Sequence, residues 1–136
     1  YAGLIRLGME DVATQVLAPE TLLPACAQGA VGVTCRADDT RTLEFLKPLD
    51  HEPTRIAVMC ERAMLDALDG SCRTPIAGLA EVSGDEIHLR GLVAKIDGTE
   101  ILRGEQSGRT QDAEEIGRQT GEELKSRAGP DFFPKH

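Results

Sequence analysis

The sequence predicts an α/β chain: an α+β C-terminal domain in which helices cover a three-stranded antiparallel sheet, preceded by the tail of another α/β domain. The first observation is an apolar face that recurs every three or four residues over Thr54–Asp69, which predicts an amphipathic helix. The second is a set of three strand-like runs at Ile76–Val82, Ile87–Lys95 and Glu100–Glu105. Turn residues between the runs, such as Asp97-Gly98, indicate hairpins and therefore an antiparallel meander. Hydrophobic residues make up 40% of the 136 residues, enough to fill one ordinary core.

Proline residues divide the first part of the chain into short elements. A helix is predicted over Met9–Leu17 and ended by Pro19, and Pro24 keeps the connector that follows extended. The apolar, β-branched run Ala30–Cys35 predicts a buried strand. The polar stretch at residues 50–53 is typical of a hinge, so we expect a boundary between this part and the helix and sheet after it.

Two further helices are predicted from their ends. Asp38 or Asp39 can cap a helix that runs to Leu46. The last helix begins after Thr110, carries acidic residues in its first turn, and ends at Gly129. Together with the helix over 54–69, this last helix can cover one face of the sheet.

The charge balance excludes several classes of partner. The chain has 15 Lys and Arg against 23 Asp and Glu, a formal net charge of −8, and its pI is near 4.8. This balance argues against binding to nucleic acid or to an anionic membrane surface. The longest apolar stretch is far shorter than the ~20 residues that cross a bilayer, so we expect no membrane association. The sequence begins without Met and shows no signal peptide, so we expect a fragment of a cytoplasmic protein.

The four cysteines are Cys26, Cys35, Cys60 and Cys72, spaced 9, 25 and 12 residues apart. This spacing argues against a zinc site and against a dense disulfide framework. Cys60 falls on the apolar face of its helix and Cys35 ends the predicted strand, so both are expected in the core. Cys72 differs because it lies in a predicted loop, where the adjacent Arg73 can favour the thiolate.

Three segments carry a resemblance to a known family. They are A-G-L-I-R-L-G at residues 2–8, L-P-A-C-A-Q-G-A-V-G at residues 23–32 and D-G-S-C-R-T-P-I-A-G at residues 69–78, the last preceded by E-R-A-M-L at residues 61–65. In content, order and spacing they resemble segments of the porphobilinogen deaminase family, also called hydroxymethylbilane synthases. The resemblance covers nearly the whole chain and corresponds to the C-terminal portion of the family's chain.

The resemblance implies a cofactor site. The family's matching cysteine carries a dipyrromethane cofactor through a thioether, so Cys72 is implied as its covalent anchor, a role that suits a thiolate nucleophile. Arg6 matches an arginine that binds the cofactor's carboxylates, for which a guanidinium is well shaped. Gln28, Gly29 and Ala30 match a segment near the cofactor. Without the resemblance, Arg6 would be interpreted as a surface arginine and Gln28–Ala30 as a tight entry into a strand.

The resemblance also implies an activity and a division of the chain. The family polymerises four porphobilinogen units into the linear tetrapyrrole hydroxymethylbilane, releasing ammonia, in porphyrin and heme biosynthesis. Residues 1–23 would end the second domain, 24–49 return to the first, and 50–136 form the cofactor-carrying domain. The catalytic aspartate would lie upstream of this sequence, so we expect no catalytic residue here and no activity from the fragment alone. The implied partners are porphobilinogen, pyrrole oligomers and the missing N-terminal part, in a full-length monomer.

The sequence departs from the family's pattern at three positions. Arg73 stands where glutamine is common, Thr34 where glutamate is frequent, and Ala27 where glycine is frequent. None of these departures removes the nucleophile.

Two other function classes remain open from the residues alone. A small non-catalytic binding or regulatory α/β module is one, and it would leave Cys72 unmodified. A thiol redox protein is the weaker alternative, because no second cysteine lies near Cys72 in the sequence. The three histidines, His51, His88 and His136, are scattered without metal-ligand spacing, so no metal site is predicted.

Overall fold

A computed structural model describes residues 1–70, 75–130 and 132. The α-helices are α1 (Ala2–Leu7), α2 (Thr40–Leu46), α3 (Glu52–Ala67) and α4 (Ala113–Ala128). The strands are β1 (Ile76–Ser83), β2 (Glu86–Ala94) and β3 (Ile101–Arg109), and short 3₁₀ turns occupy Glu10–Val12, Lys47–Leu49 and Thr110–Asp112. Among these residues, no helix combines the length and the apolar character needed to span a membrane.

The three strands form the predicted antiparallel meander, in the order β1-β2-β3. Along β2, Ile87, Leu89 and Val93 are buried on one face, while His88 and Arg90 alternate onto the other. The third strand continues four residues beyond its predicted end at Glu105, because its polar and glycine residues still pair with the first residues of β2. The predicted fold class is therefore confirmed, with both long helices packed against the sheet.

Helices α3 and α4 run in the same direction and approach each other closely. A Cβ added to Gly117 would overlap the carbonyl oxygen of Cys60, and one added to Gly121 would lie 2.6 Å from that of Met64. The contact thus advances four residues along each helix, as expected for parallel neighbours. Glycine is required at both positions because the helix backbones leave no room for a side chain.

The core lies between these helices and the sheet. Gly78, Gly91 and Gly104 pair with one another across the three strands and form a row without side chains. Met64 from α3 and Leu124 from α4 fill the space above this row, and both are fully buried. The prediction that Cys60 belongs to the core is confirmed, since this residue is fully buried beside them.

The predicted helix over Met9–Leu17 is wrong. The chain forms α1 before it, ends α1 at Gly8 in the left-handed conformation, and then makes only the 3₁₀ turn Glu10–Val12. A short helix is marginal unless its apolar face is packed, and Val16 and Leu17 are exposed.

The predicted buried strand over Ala30–Cys35 is also wrong. Residues 30–35 form no strand, and Val31 is 91% exposed. A strand needs a neighbour to satisfy its backbone groups, and the described residues offer this run none. Cys35 is accordingly only half-buried instead of part of the core.

The helix predicted to end at Leu46 is confirmed as α2, with Asp39 capping it through the Thr42 amide at 3.0 Å.

Candidate cofactor site

Residue Cys72, the predicted cofactor anchor, lies with residues 71, 73 and 74 outside the described residues. The chain on either side of it is described. Gly70 follows the end of α3, where its amide donates to the carbonyl of Leu65 at 2.9 Å. Pro75 precedes β1, and its carbonyl accepts from the amide of Ala94 at 2.9 Å. Residues 71–74 therefore join the C-terminal end of α3 to the start of the sheet.

The chain just before this connection is linked to α4. The Lys125 ammonium forms an ion pair with Asp69 and donates to the carbonyl of Ala67 at 3.2 Å. Asp69 has a φ of 51°, a left-handed conformation that aspartate tolerates better than most residues. Lys125 thus stabilises the end of α3 by neutralising its free carbonyl end and the neighbouring carboxylate.

A second segment lies along the free edge of β1. The carbonyl of Pro24 accepts from the amide of Gly78 at 2.9 Å. Glu61 of α3 extends to the same edge, where one carboxylate oxygen accepts from the amide of Ala80 at 2.8 Å. Its other oxygen accepts from the amide of Ala27 at 2.5 Å. These contacts cover the strand edge, which would otherwise present unpaired donors.

The carboxyl of Glu61 is buried and changes the chemistry of its neighbours. The residue is only 5% exposed, and burial raises the pKa of its carboxyl above the usual range. The hydrogen bonds that it accepts from the backbone amides of Ala80 and Ala27 oppose this shift. Burial also raises the pKa of the Cys26 thiol to about 11 and that of Cys60 to about 12, with the Glu61 carboxylate adding to both shifts. At neutral pH these two thiols are therefore protonated and poor nucleophiles.

The predicted cofactor segment Gln28–Ala30 follows directly as an exposed pair of turns. The amide of Gln28 donates to Ala25 at 3.0 Å, and that of Ala30 donates to Ala27 at 3.2 Å. Gly29 has a φ of 85° and Ala27 a φ of 60°. The left-handed backbone at Ala27 is one that glycine adopts at lower cost than alanine.

Beside this segment lies a cleft of about 670 Å³ that is lined by several cationic side chains. Ala27 and Ala30 form one wall, and Arg62 and Arg55 of α3 lie on another. Arg55 pairs with Asp50 at 3.0 Å, whereas Arg62 has no ion-pair partner among the described residues. An exposed guanidinium without an ion-pair partner among the described residues fits a ligand that carries carboxylates.

Two family models match the chain, in the same order as the segments above. "Porphobilinogen deaminase, dipyromethane cofactor binding domain" matches residues 1–44, and "Porphobilinogen deaminase, C-terminal domain" matches residues 55–126. The second match alone covers more than half of the chain. The chain belongs to the porphobilinogen deaminase family. The predicted family is therefore confirmed.

Individual members of the porphobilinogen deaminase family are similar along almost all of this chain. A relative named "Porphobilinogen deaminase, chloroplastic" from Pisum sativum is 52% identical over 135 residues, which is 97% of this chain and 37% of the relative. A relative named "Porphobilinogen deaminase" from Paracoccus denitrificans (strain Pd 1222) is 48% identical over 132 residues, which is 97% of this chain and 42% of the relative. The chain thus spans well under half the length of the porphobilinogen deaminases it matches.

The structure brings only some of the predicted site residues together. Gln28, Gly29 and Ala30 are contiguous and lie next to the segment held by Glu61. Arg6 is exposed in the last turn of α1, and within the described residues no hydrogen bond or ion pair joins it to Gln28–Ala30.

Sequence reasoning missed two residues of this site, Glu61 and Arg62. Both belong to the E-R-A-M-L segment that contributed to the resemblance. A signal for Glu61 was present, because a carboxylate directly after the core residue Cys60 and three residues before Met64 falls next to the apolar face of α3. Its partners could not be read from the sequence, since Ala27 and Ala80 lie far from it along the chain.

Proposed function

We propose that this chain is the C-terminal part of an enzyme that joins four porphobilinogen molecules into hydroxymethylbilane with release of ammonia. The observation that carries the proposal is the pair of porphobilinogen deaminase family models, matched in order over residues 1–44 and 55–126. The relatives that share this order are named porphobilinogen deaminase. Because the chain spans 37 and 42% of their length, the activity is assigned to the longer protein.

The proposed domain division follows the difference in burial along the chain. Residues 1–23 would end the second domain, 24–49 would return to the first, and 50–136 would form the cofactor-carrying domain. No described residue before Cys60 is buried, and large apolar side chains are exposed throughout the first 50 residues. They include Ile5, Leu7, Val12, Val16, Val31 and Phe45. Contact with the N-terminal part of the same protein would remove this apolar surface from water.

Within this function, Cys72 would hold the dipyrromethane cofactor through a thioether. A thiolate is a soft nucleophile, and the carbon–sulfur bond that it forms persists in water. The protonated thiols of Cys26 and Cys60 are unsuited to the task, which favours Cys72 as the anchor. When bound, the cofactor supplies the free end to which pyrrole units are added.

The described residues fit such a group through its carboxylates. Arg6 and Arg62 would bind carboxylates through their guanidinium groups, and Gln28 would offer its side-chain amide. The exposed turn at Gly29 and Ala30 would bring the backbone close to the pyrrole substituents. The catalytic carboxylate would be provided by the N-terminal part of the enzyme.

The intact mass of the full-length enzyme under denaturing conditions tests the anchor. We expect an adduct of dipyrromethane mass, located by peptide mapping to the peptide that contains Cys72. A Cys72→Ser variant should lack both the adduct and turnover of porphobilinogen, whereas the half-buried Cys35→Ser should retain both. Active enzyme with an unmodified Cys72 would refute the assignment.

The chain by itself is expected to be inactive, because the proposed catalytic carboxylate lies outside it. The test is an assay of porphobilinogen consumption with the purified chain, and turnover without the N-terminal part would contradict this expectation.

A non-catalytic binding module is not favoured, given the family match. We also propose a cytoplasmic location, since Cys26, Cys35 and Cys60 are free cysteines, as is usual in a reducing compartment. The pea relative is named as chloroplastic.

A further inference from the structure

We propose that Glu61 is a positioning residue that fixes the segment Gln28–Ala30 against the cofactor-carrying domain. The inference rests on the proposed function, because it concerns the same cofactor site. It adds to that site a residue on α3, Glu61, which acts through the backbone of Ala27 and needs no direct contact with the cofactor.

The contacts show that Glu61 joins three parts of the molecule. The side chain starts on α3, one oxygen accepts the amide of Ala80 on β1 at 2.8 Å, and the other accepts the amide of Ala27 at 2.5 Å. The first two parts are already packed together through the core. The hydrogen bond to Ala27 is therefore the one that holds the segment around Ala27 against the packed α3 and β1.

A second contact fixes the same connector just upstream. The carbonyl of Pro24 accepts the amide of Gly78, and Cys26 packs against the core next to Gly78. With Pro24 held on the sheet edge and Ala27 held by the carboxylate, the path of the chain between them is fixed at both ends. The turn that contains Gln28 and Gly29 and is closed by the amide of Ala30 begins at Ala27, so its start is fixed by Glu61.

Burial makes the link specific. A backbone amide that loses its acceptor away from water costs free energy. The amide of Ala27 is partly buried and Glu61 is only 5% exposed, so water has little access to take the place of the carboxylate. Glutamine at this position keeps the volume and one acceptor oxygen, but its amide nitrogen donates and cannot accept from a second backbone amide. The one remaining oxygen is expected to stay on the amide of Ala80, whose hydrogen bond is the more deeply buried, so Glu61→Gln breaks the link to Ala27. The substitution also removes the cost of burying a charge, so loss of positioning can be separated from loss of stability.

The experiment compares Glu61→Gln with Thr120→Val in the full-length enzyme. Thr120 is a matched control because it is also buried, and its hydroxyl donates within α4 to Ile116 at 2.9 Å, away from the connector. Three quantities are measured: hydrogen exchange of the peptide that contains Ala27, the fraction of chains with a dipyrromethane adduct, and kcat with KM for porphobilinogen. Glu61→Asp, which keeps the charge and shortens the side chain, is measured in the same way if Glu61→Gln does not fold.

For Glu61→Gln we expect exchange at Ala27 to accelerate about 10-fold or more, and kcat or cofactor loading to fall about 10-fold with KM changed less than about 3-fold. Thr120→Val should change none of these. Equal behaviour of the two variants overturns the inference, as does faster exchange at Ala27 with normal loading and kcat. A wild-type enzyme without a dipyrromethane adduct overturns the proposed function and the inference with it. If the wild-type enzyme carries the adduct, the result for Glu61→Gln tests the inference alone.

Discussion

Two regions of this chain differ in how their apolar side chains are used. From Cys60 onward, helices α3 and α4 and the sheet bury Met64, Leu124 and a row of strand residues. Before residue 51, helices and turns also form, but no described residue is buried there. The apolar content of the first region is not low, since side chains such as Leu7 and Val31 are simply exposed. The difference teaches that local elements form in both regions, whereas only the second contains the partners that its apolar faces need.

The largest effect is expected from truncating a core leucine. Leu124→Ala removes a fully buried side chain above Gly91 and Gly104, and it should lower the free energy of unfolding by about 3 kcal/mol. Leu7→Ala, at a residue that is 70% exposed, should change it by less than about 0.5 kcal/mol in this chain. Urea unfolding of both variants measures the contrast.

The same pair sharpens the comparison in the proposed longer protein. If the first region packs against the N-terminal part, Leu7→Ala should become clearly destabilising there while the effect of Leu124→Ala is unchanged. Equal, small effects of Leu7→Ala in both proteins would mean that this surface remains exposed.

A second contrast uses glycines in helices of the two regions. Gly117→Ala places a methyl group against the carbonyl of Cys60, and we expect a loss of about 2 kcal/mol because the α3 and α4 backbones must separate. Gly3→Ala has open space around it in α1, so the higher helix propensity of alanine should stabilise α1 slightly. Thermal unfolding and far-UV circular dichroism compare the variants, and a stable Gly117→Ala variant would contradict the close packing of the helices.

The sequence predicts the second region well for a physical reason. Helical periodicity over α3 and the turns between strands are local signals, and their apolar faces find partners within the same 80 or so residues. The first region fails the same test, because Ala30–Cys35 has the composition of a buried strand but no strand beside it. The candidate site shows the same limit: Gln28–Ala30 is predicted from a motif, whereas the role proposed for Glu61 depends on contacts with Ala27 and Ala80 that only the fold creates.

The pH dependence of stability tests the junction between the two regions, which is the hydrogen bond from Ala27 to the buried carboxyl of Glu61. Because burial raises the pKa of Glu61 in the folded state, ionisation costs stability as pH rises from its ordinary value of 4.5 through the raised value. Glu61→Gln has no proton to lose, so the difference between its free energy of unfolding and that of the wild type should grow in favour of the variant as pH rises through this window, by at most about 1.4 kcal/mol per pH unit. Urea unfolding at a series of pH values measures the difference, and a difference that is constant with pH would show that the carboxyl is not desolvated in the folded chain.

The smallest expected effect concerns the turn at the end of the same junction. Ala27 adopts a φ of 60°, which costs alanine about 1 kcal/mol and glycine almost nothing. Ala27→Gly therefore relieves backbone strain, although the more flexible unfolded chain offsets part of the gain. We expect a net stabilisation of about 0.5 kcal/mol, together with an unchanged bond to Glu61 because the amide is retained. Ala30→Gly is the control, since Ala30 is not in the left-handed region and glycine there brings only the entropy cost. Opposite signs for the two variants in thermal unfolding would confirm the strain, and equal destabilisation would show that the conformation of Ala27 is not maintained in solution.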